Sequence, residues 1–143
     1  MRLVRGDLWT YPADVRIVTT NGTLRQDGTA IMGRGCAWEA AQRFIMLPRE
    51  LGALLKKHGN HVMSFPRYNL ITFPTKHHWS EDSDLDLIRQ SVKELKQFLL
   101  PHTRYAMVRA GCGHGRLQWE DVEPILAALP NNVIVISNSN VGD

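Results

Sequence analysis

The strongest constraint on the fold is an alternation of two kinds of segment. Short apolar runs rich in β-branched residues recur along the chain, separated by stretches whose apolar residues repeat every three or four positions. Val15 to Thr19 is the clearest strand-like run. Arg2 to Arg5, His61 to Phe65, Tyr68 to Phe73, Tyr105 to Val108 and Val133 to Ser137 are the others, with a turn at Pro66-Arg67. Helical spacing covers Cys36 to Phe44, with Ala37, Ala40, Ala41 and Phe44 on one side, and a stretch from Pro48 to the Lys57-His58-Gly59 stop. The longest apolar stripe is Leu85, Ile88, Val92, Leu95 and Leu99, within a helix expected from a Ser83 cap to Leu100, before Pro101. Trp119 to Leu129 gives a fourth helix. Strands and helices in this order predict an α/β sandwich around a mixed sheet.

The 143 residues suit one domain, 1–143, with no internal repeat or linker. No apolar run reaches membrane-spanning length, and the first residues show no signal-peptide pattern. Cys36 and Cys112 form neither a CxxC nor a disulfide framework, so a reducing cytoplasm is expected; the chain is also expected to be a monomer. A net charge of +3 favours anionic ligands.

In sheets of this class ligands bind beyond the C-terminal ends of the strands. Two glycine-rich loops follow strands there. One runs from Thr20 to Gly35, ending in Met32-Gly33-Arg34-Gly35-Cys36; the other is Gly111-Cys112-Gly113-His114-Gly115. Each leads into a helix, where backbone amides suit phosphate oxygens. Two such loops on one sheet suggest a diphosphate held between them. GxxxxGK[ST] is missing, which argues against a P-loop nucleotidase, and Met32 to Cys36 is not the GxGxxG of a dinucleotide fold. Pro74 to Trp79 is read as a third loop at the same rim.

Among five lysines, Lys56, Lys57, Lys93 and Lys96 fall on expected helices, and Lys76 alone on a loop after a strand. Burial lowers a lysine's pKa and a neighbouring diphosphate raises it, so these residues leave open a nucleophile or a phosphate partner. His77, His78 and His114 have no metal spacing and are solvated bystanders, acids or bases, or stacking groups; no metal site and no cofactor are expected. Cys36 and Cys112 suit packing better than attack. Trp79 and Trp119 are stacking or packing groups, and Arg25, Arg34 and Arg116 a solvated face or a nucleic-acid rim.

Gly6-Asp7-Leu8, the Val18 to Cys36 loop and Arg109 to Trp119, in this order over nearly the whole chain, resemble the macro domain. The resemblance implies a three-layer α/β/α sandwich that binds ADP-ribose. Gly111-Cys112-Gly113-x-x-Arg116-Leu117-Gln118-Trp119-Glu120 is similar to the ADP-ribosyl glycohydrolase branch, and Phe73-Pro74-Thr75-Lys76-x-His78-Trp79 to its DNA-directed antitoxin members. By resemblance, Asp7 accepts from the adenine amino group with Leu8 beside it, and Asn21 lies near the distal ribose. Gly33, Arg34, Gly35 and Cys36 hold the diphosphate from one side, and Gly111, Cys112, Gly113, His114 and Gly115 close over it. Lys76 reaches the anomeric carbon as the catalytic group. The protein-directed member has an aspartate where this chain has Gly115, so a nucleobase of DNA is favoured over a protein carboxylate as acceptor. The expected partners are ADP-ribose or an ADP-ribosylated macromolecule, with an ADP-ribosyltransferase toxin as counterpart and no membrane. A non-catalytic ADP-ribose module, an ADP-ribose 1″-phosphatase and a nucleic-acid-binding domain remain as alternatives.

Overall fold

A computed structural model describes residues 1–137. Its strands are β1 (Arg2–Arg5), β2 (Val15–Asn21), β3 (Met63–Phe65), β4 (Leu70–Lys76), β5 (Tyr105–Val108) and β6 (Val133–Ser137). The helices are α1 (Gly35–Arg43), α2 (Leu47–His58), α3 (Leu85–Lys96) and α4 (Trp119–Leu126). The strands form one sheet in the order β1-β6-β5-β2-β4-β3. Every pairing is parallel except that of β3 with β4. Among the described residues no helix is long and apolar enough to cross a membrane.

Strand residues point alternately to opposite faces, and here both faces are covered. Val18, Ala106, Val108, Ile134 and Ile136 join α1 and α2 in one core through Cys36, Ala40, Leu47 and Leu51. Their neighbours Ile17, Tyr105, Met107, Val133 and Val135 join α3 and α4 in the other through Ile88, Val92, Val122 and Leu126. Continuous apolar runs such as Tyr105–Val108 are what a parallel strand buried on both sides requires. The result is the expected three-layer sandwich with a mixed sheet.

Several boundaries differ from the sequence reading, each for a local reason. Strand β4 does not stop at Phe73 but runs through Pro74 to Lys76. The ladder with its antiparallel partner β3 reaches no further than Thr72, opposite Met63, so Pro74 lies past the end of that ladder, where proline is tolerated. Pro66-Arg67 belongs to a 3-10 turn over Pro66–Tyr68, closed by Asn69 at φ 50°, which delays β4 to Leu70. The cap of α3 is Asp84 rather than Ser83, because its carboxylate accepts the Asp86 N–H. That helix ends at Lys96, short of Leu100, and α4 ends at Leu126, short of Leu129.

Candidate active site

Strands β5, β2 and β4 are parallel neighbours, so the loops after them leave from the same end of the sheet. Those loops are tied together. The Trp79 N–H donates to Thr23 Oγ1 at 2.9 Å, and the Ser83 N–H donates to the Gly115 carbonyl at 2.9 Å. Between the loops after β2 and β4 lies a crevice of about 240 Å³, lined by Thr19, Thr20, Asn21, Ile31, Gly33, Arg34, Ala37, Thr75, Lys76 and Trp79. Its lining carries two cationic side chains and no carboxylate, which suits an anion.

One wall is the start of α1. Arg34, the residue before the helix, has extended backbone, and no side chain caps the helix. First-turn amides have no intrahelical acceptor, so they are available to a ligand. Gly33 shows why the loop is glycine-rich here. It is exposed, its φ is not positive, and a Cβ built on it would meet nothing within 4 Å. Nothing inside the protein requires glycine at this position, and the missing side chain leaves the backbone open to the crevice. The Cys36 thiol is turned into the core, accepting the Thr19 N–H at 3.4 Å and meeting Thr19 Oγ1 at 3.3 Å. It acts as packing, and neither Cys36 nor Gly35 is among the residues that line the crevice.

The floor is the end of β2. Asn21 sits there with both ends of its amide engaged: Nδ2 donates to the Ile31 carbonyl at 3.0 Å, and Oδ1 accepts the Thr23 N–H at 2.9 Å. It closes the long loop on itself and shapes the crevice.

The second wall holds Lys76. The expectation of a loop lysine is corrected, since Lys76 is the last residue of β4. Its placement depends on a break in register: Thr20 pairs with Pro74, but Asn21 pairs with Lys76, so Thr75 is an extra residue. Such a bulge locally overrides strict alternation, and Thr75 and Lys76, adjacent in sequence, both line the crevice. Lys76 is only 8% exposed, unlike the other four lysines, all of which are exposed. Its ammonium donates to the His114 carbonyl at 3.3 Å.

That bond is the route by which the second glycine loop reaches the site. None of Gly111, Cys112, Gly113, His114 or Gly115 lines the crevice itself. Gly111 is buried with φ +76°, and its carbonyl accepts the Leu117 N–H at 2.8 Å. Asp7 and Leu8 also lie outside the crevice. Leu8 is fully buried in the core, and Asp7 Oδ1 accepts the Trp9 N–H at 2.7 Å. Their loop is anchored by Arg16, whose guanidinium donates to the carbonyls of Leu8, Trp9 and Tyr11.

Trp79 stands at the mouth, 42% exposed. Trp119 instead packs against the α3–α4 core, with the Arg109 guanidinium 5.8 Å from its ring. His77 pairs with Asp84 at 2.7 Å and His78 with Ser80 at 2.7 Å. The His77 hydrogen bond, with help from the Asp86 N–H, holds the Asp84 carboxyl below the usual carboxylate range. Arg25 is exposed away from the crevice, and Arg116 lies 3.9 Å from Asp82. The sequence reading missed Thr19, Thr20, Ile31, Ala37 and Thr75. The one available signal was polar threonines ending an otherwise apolar strand.

No family model matches the chain. It is 26% identical, over 138 residues and 86% of its length, to a DNA ADP-ribosyl glycohydrolase of Thermus aquaticus, and spans 36% of that relative. It resembles the macrodomain of Mycobacterium tuberculosis DarG with a TM-score of 0.78 and 25% identity, covering 96% of this chain and 97% of the other. Thermosipho africanus DarTG, in complex with ADP-ribose, gives a TM-score of 0.73 at 22% identity, over 94% of this chain and 40% of that one.

Proposed function

We propose that the chain is a macro domain of the DarG type, as its likeness to the Mycobacterium tuberculosis DarG macrodomain supports, and that it binds ADP-ribose and hydrolyses the bond between the distal ribose and a nucleobase of DNA. The observation that carries this reading is Lys76, a buried lysine turned by a bulge into an anion-suited crevice and held on a loop carbonyl. The diphosphate lies against the uncapped start of α1, where Gly33 leaves room for it. The distal ribose then falls between Asn21 and Lys76, and the acceptor leaves the crevice beside Trp79.

In the reaction the bond from the anomeric carbon to the acceptor breaks. Water supplies the new oxygen at that carbon and the proton for the acceptor. Lys76 engages the ribose, and fixed backbone dipoles steady the charge that develops, with little reorganisation during the step. Gly115 leaves the second loop without a carboxylate, which favours a nucleobase over an ester-linked carboxylate as acceptor. The relative named as a DNA ADP-ribosyl glycohydrolase supports the same choice. An ADP-ribosyltransferase toxin that installs the modification is the proposed counterpart, in keeping with the DarTG likeness.

The test is release of ADP-ribose from modified single-stranded DNA, run beside glutamate-ADP-ribosylated protein. The expected result is release from the DNA alone, reduced at least about 100-fold by Lys76→Ala while ADP-ribose affinity changes by less than about fivefold. Binding without release from either substrate would establish a non-catalytic reader in its place.

A further inference from the structure

We infer that Asn60, outside every expected site, is a positioning residue for Lys76. This inference rests on the reading of Lys76 as the reacting group. Asn60 follows Gly59, the residue that ends α2. Its Nδ2 donates to the Lys76 carbonyl at 3.0 Å. The bond spans 16 residues and fastens the end of a helix to the last residue of β4.

Three features give that bond a role beyond general packing. It falls immediately after the Thr75 bulge, where Lys76 is reached through an interrupted ladder and its direction is the least determined by the sheet. The space around the amide is closed. A Cβ on Gly22 would lie 2.9 Å from Asn60 Cγ, 2.9 Å from its Nδ2 and 2.9 Å from the His77 carbonyl oxygen. The lack of a side chain at Gly22 therefore leaves room for the Asn60 amide beside the His77 carbonyl. Finally, Asn60 Oδ1 is buried without a hydrogen-bond partner among the described residues. An orphaned buried acceptor is unfavourable, and an apolar side chain of similar size would avoid it. What such a side chain would lack is the Nδ2 donor to Lys76.

Lys76 is thus held at two points: its ammonium by the His114 carbonyl and its backbone by Asn60. Loss of the second hold leaves the crevice wall in place and frees the lysine to swing. The residue acts through Lys76 and touches no reacting atom.

Asn60→Leu keeps the size and removes the donor, and Asn60→Asp keeps the shape and removes it differently. Two measurements on the intact chain test the inference. The first is the labelling rate of each lysine by acetic anhydride, read by mass spectrometry. In both variants Lys76 should label at least about fivefold faster, with Lys56, Lys57, Lys93 and Lys96 unchanged as internal controls. The second is single-turnover release from ADP-ribosylated single-stranded DNA beside calorimetry with ADP-ribose. Release should slow about tenfold or more while affinity stays within about threefold. Unchanged Lys76 labelling in folded Asn60→Leu overturns the inference, whatever the activity. Equal loss of affinity and rate overturns it as well, since that marks a general structural role. If Lys76→Ala releases ADP-ribose at the normal rate, the catalytic reading fails instead, and labelling still decides whether Asn60 holds the lysine.

Discussion

The two glycine-rich loops look alike in sequence and differ in what their glycines do. In Met32 to Cys36, Gly33 is exposed and crowds nothing, so the absent side chain is space left open toward the crevice. In Gly111 to Gly115 the relation is reversed. A Cβ on Gly111 would come within 2.9 Å of Leu117 Cδ1, 3.0 Å of Ile88 Cδ1 and 3.1 Å of Ser83 Cβ, at a φ of +76°. There the absent side chain is space already filled by the protein. One loop leaves open surface beside the crevice, and the other is a strut whose His114 carbonyl accepts from the lysine. Glycine content alone does not separate a ligand cradle from a packed turn; the neighbours of the missing Cβ do.

Substitutions can break that contrast directly. The largest effect is expected at Gly111→Ala, which combines a strained φ with overpacking and should destabilise the fold by about 2–4 kcal/mol in urea unfolding. Gly33→Val should leave stability within about 0.5 kcal/mol and weaken ADP-ribose at least about tenfold by calorimetry, near 1.4 kcal/mol. A Gly33 variant that unfolds but binds normally would reverse the assignment of the two loops. Arg34→Ala should weaken ADP-ribose about threefold to tenfold and flatten its salt dependence. Arg116→Ala, on the packed loop and next to Asp82, should change affinity less than about twofold.

The smallest effect concerns the strap that braces the packed loop. Ser83 and Asp84 donate their amides to Gly115 and Thr75, and His77 bonds the Asp84 carboxylate. Because the Asp84 carboxyl is depressed in the folded chain, its contribution is present in full above the ordinary carboxylate value and is lost as pH falls through the folded one. His77→Ala should raise the Asp84 value in an NMR titration. With both side chains solvent-exposed, the cost at pH 7 should stay below about 1 kcal/mol and fade on acidification below about pH 4.

The layers were legible in the sequence because buried parallel strands and amphipathic helices write their periods directly into it. Val15–Thr19, Tyr105–Val108 and the Leu85–Leu95 stripe needed nothing beyond local pattern. What the sequence hid were facts of pairing. Nothing local to Phe73-Pro74-Thr75-Lys76 says that the β3 ladder reaches no further than Thr72, which lets a proline stay in the strand. Nor does it say that β2 forces an extra residue at Thr75. Asn60 was invisible for the same reason, since its partner lies 16 residues away. The resemblance led to Lys76, but its direction and its two holds are properties of the assembled sheet.

The bulge at Thr75 makes the site a matter of parity. Up to Thr72 the two sides of β4 follow an odd–even count, and one extra residue shifts the count for everything beyond it. Were the ladder regular, Asn21 would pair with Thr75, and Lys76 would fall one place further on, facing the opposite layer. Substitutions along this strand only adjust how well it packs, whereas the one extra residue decides which side of the sheet receives the lysine.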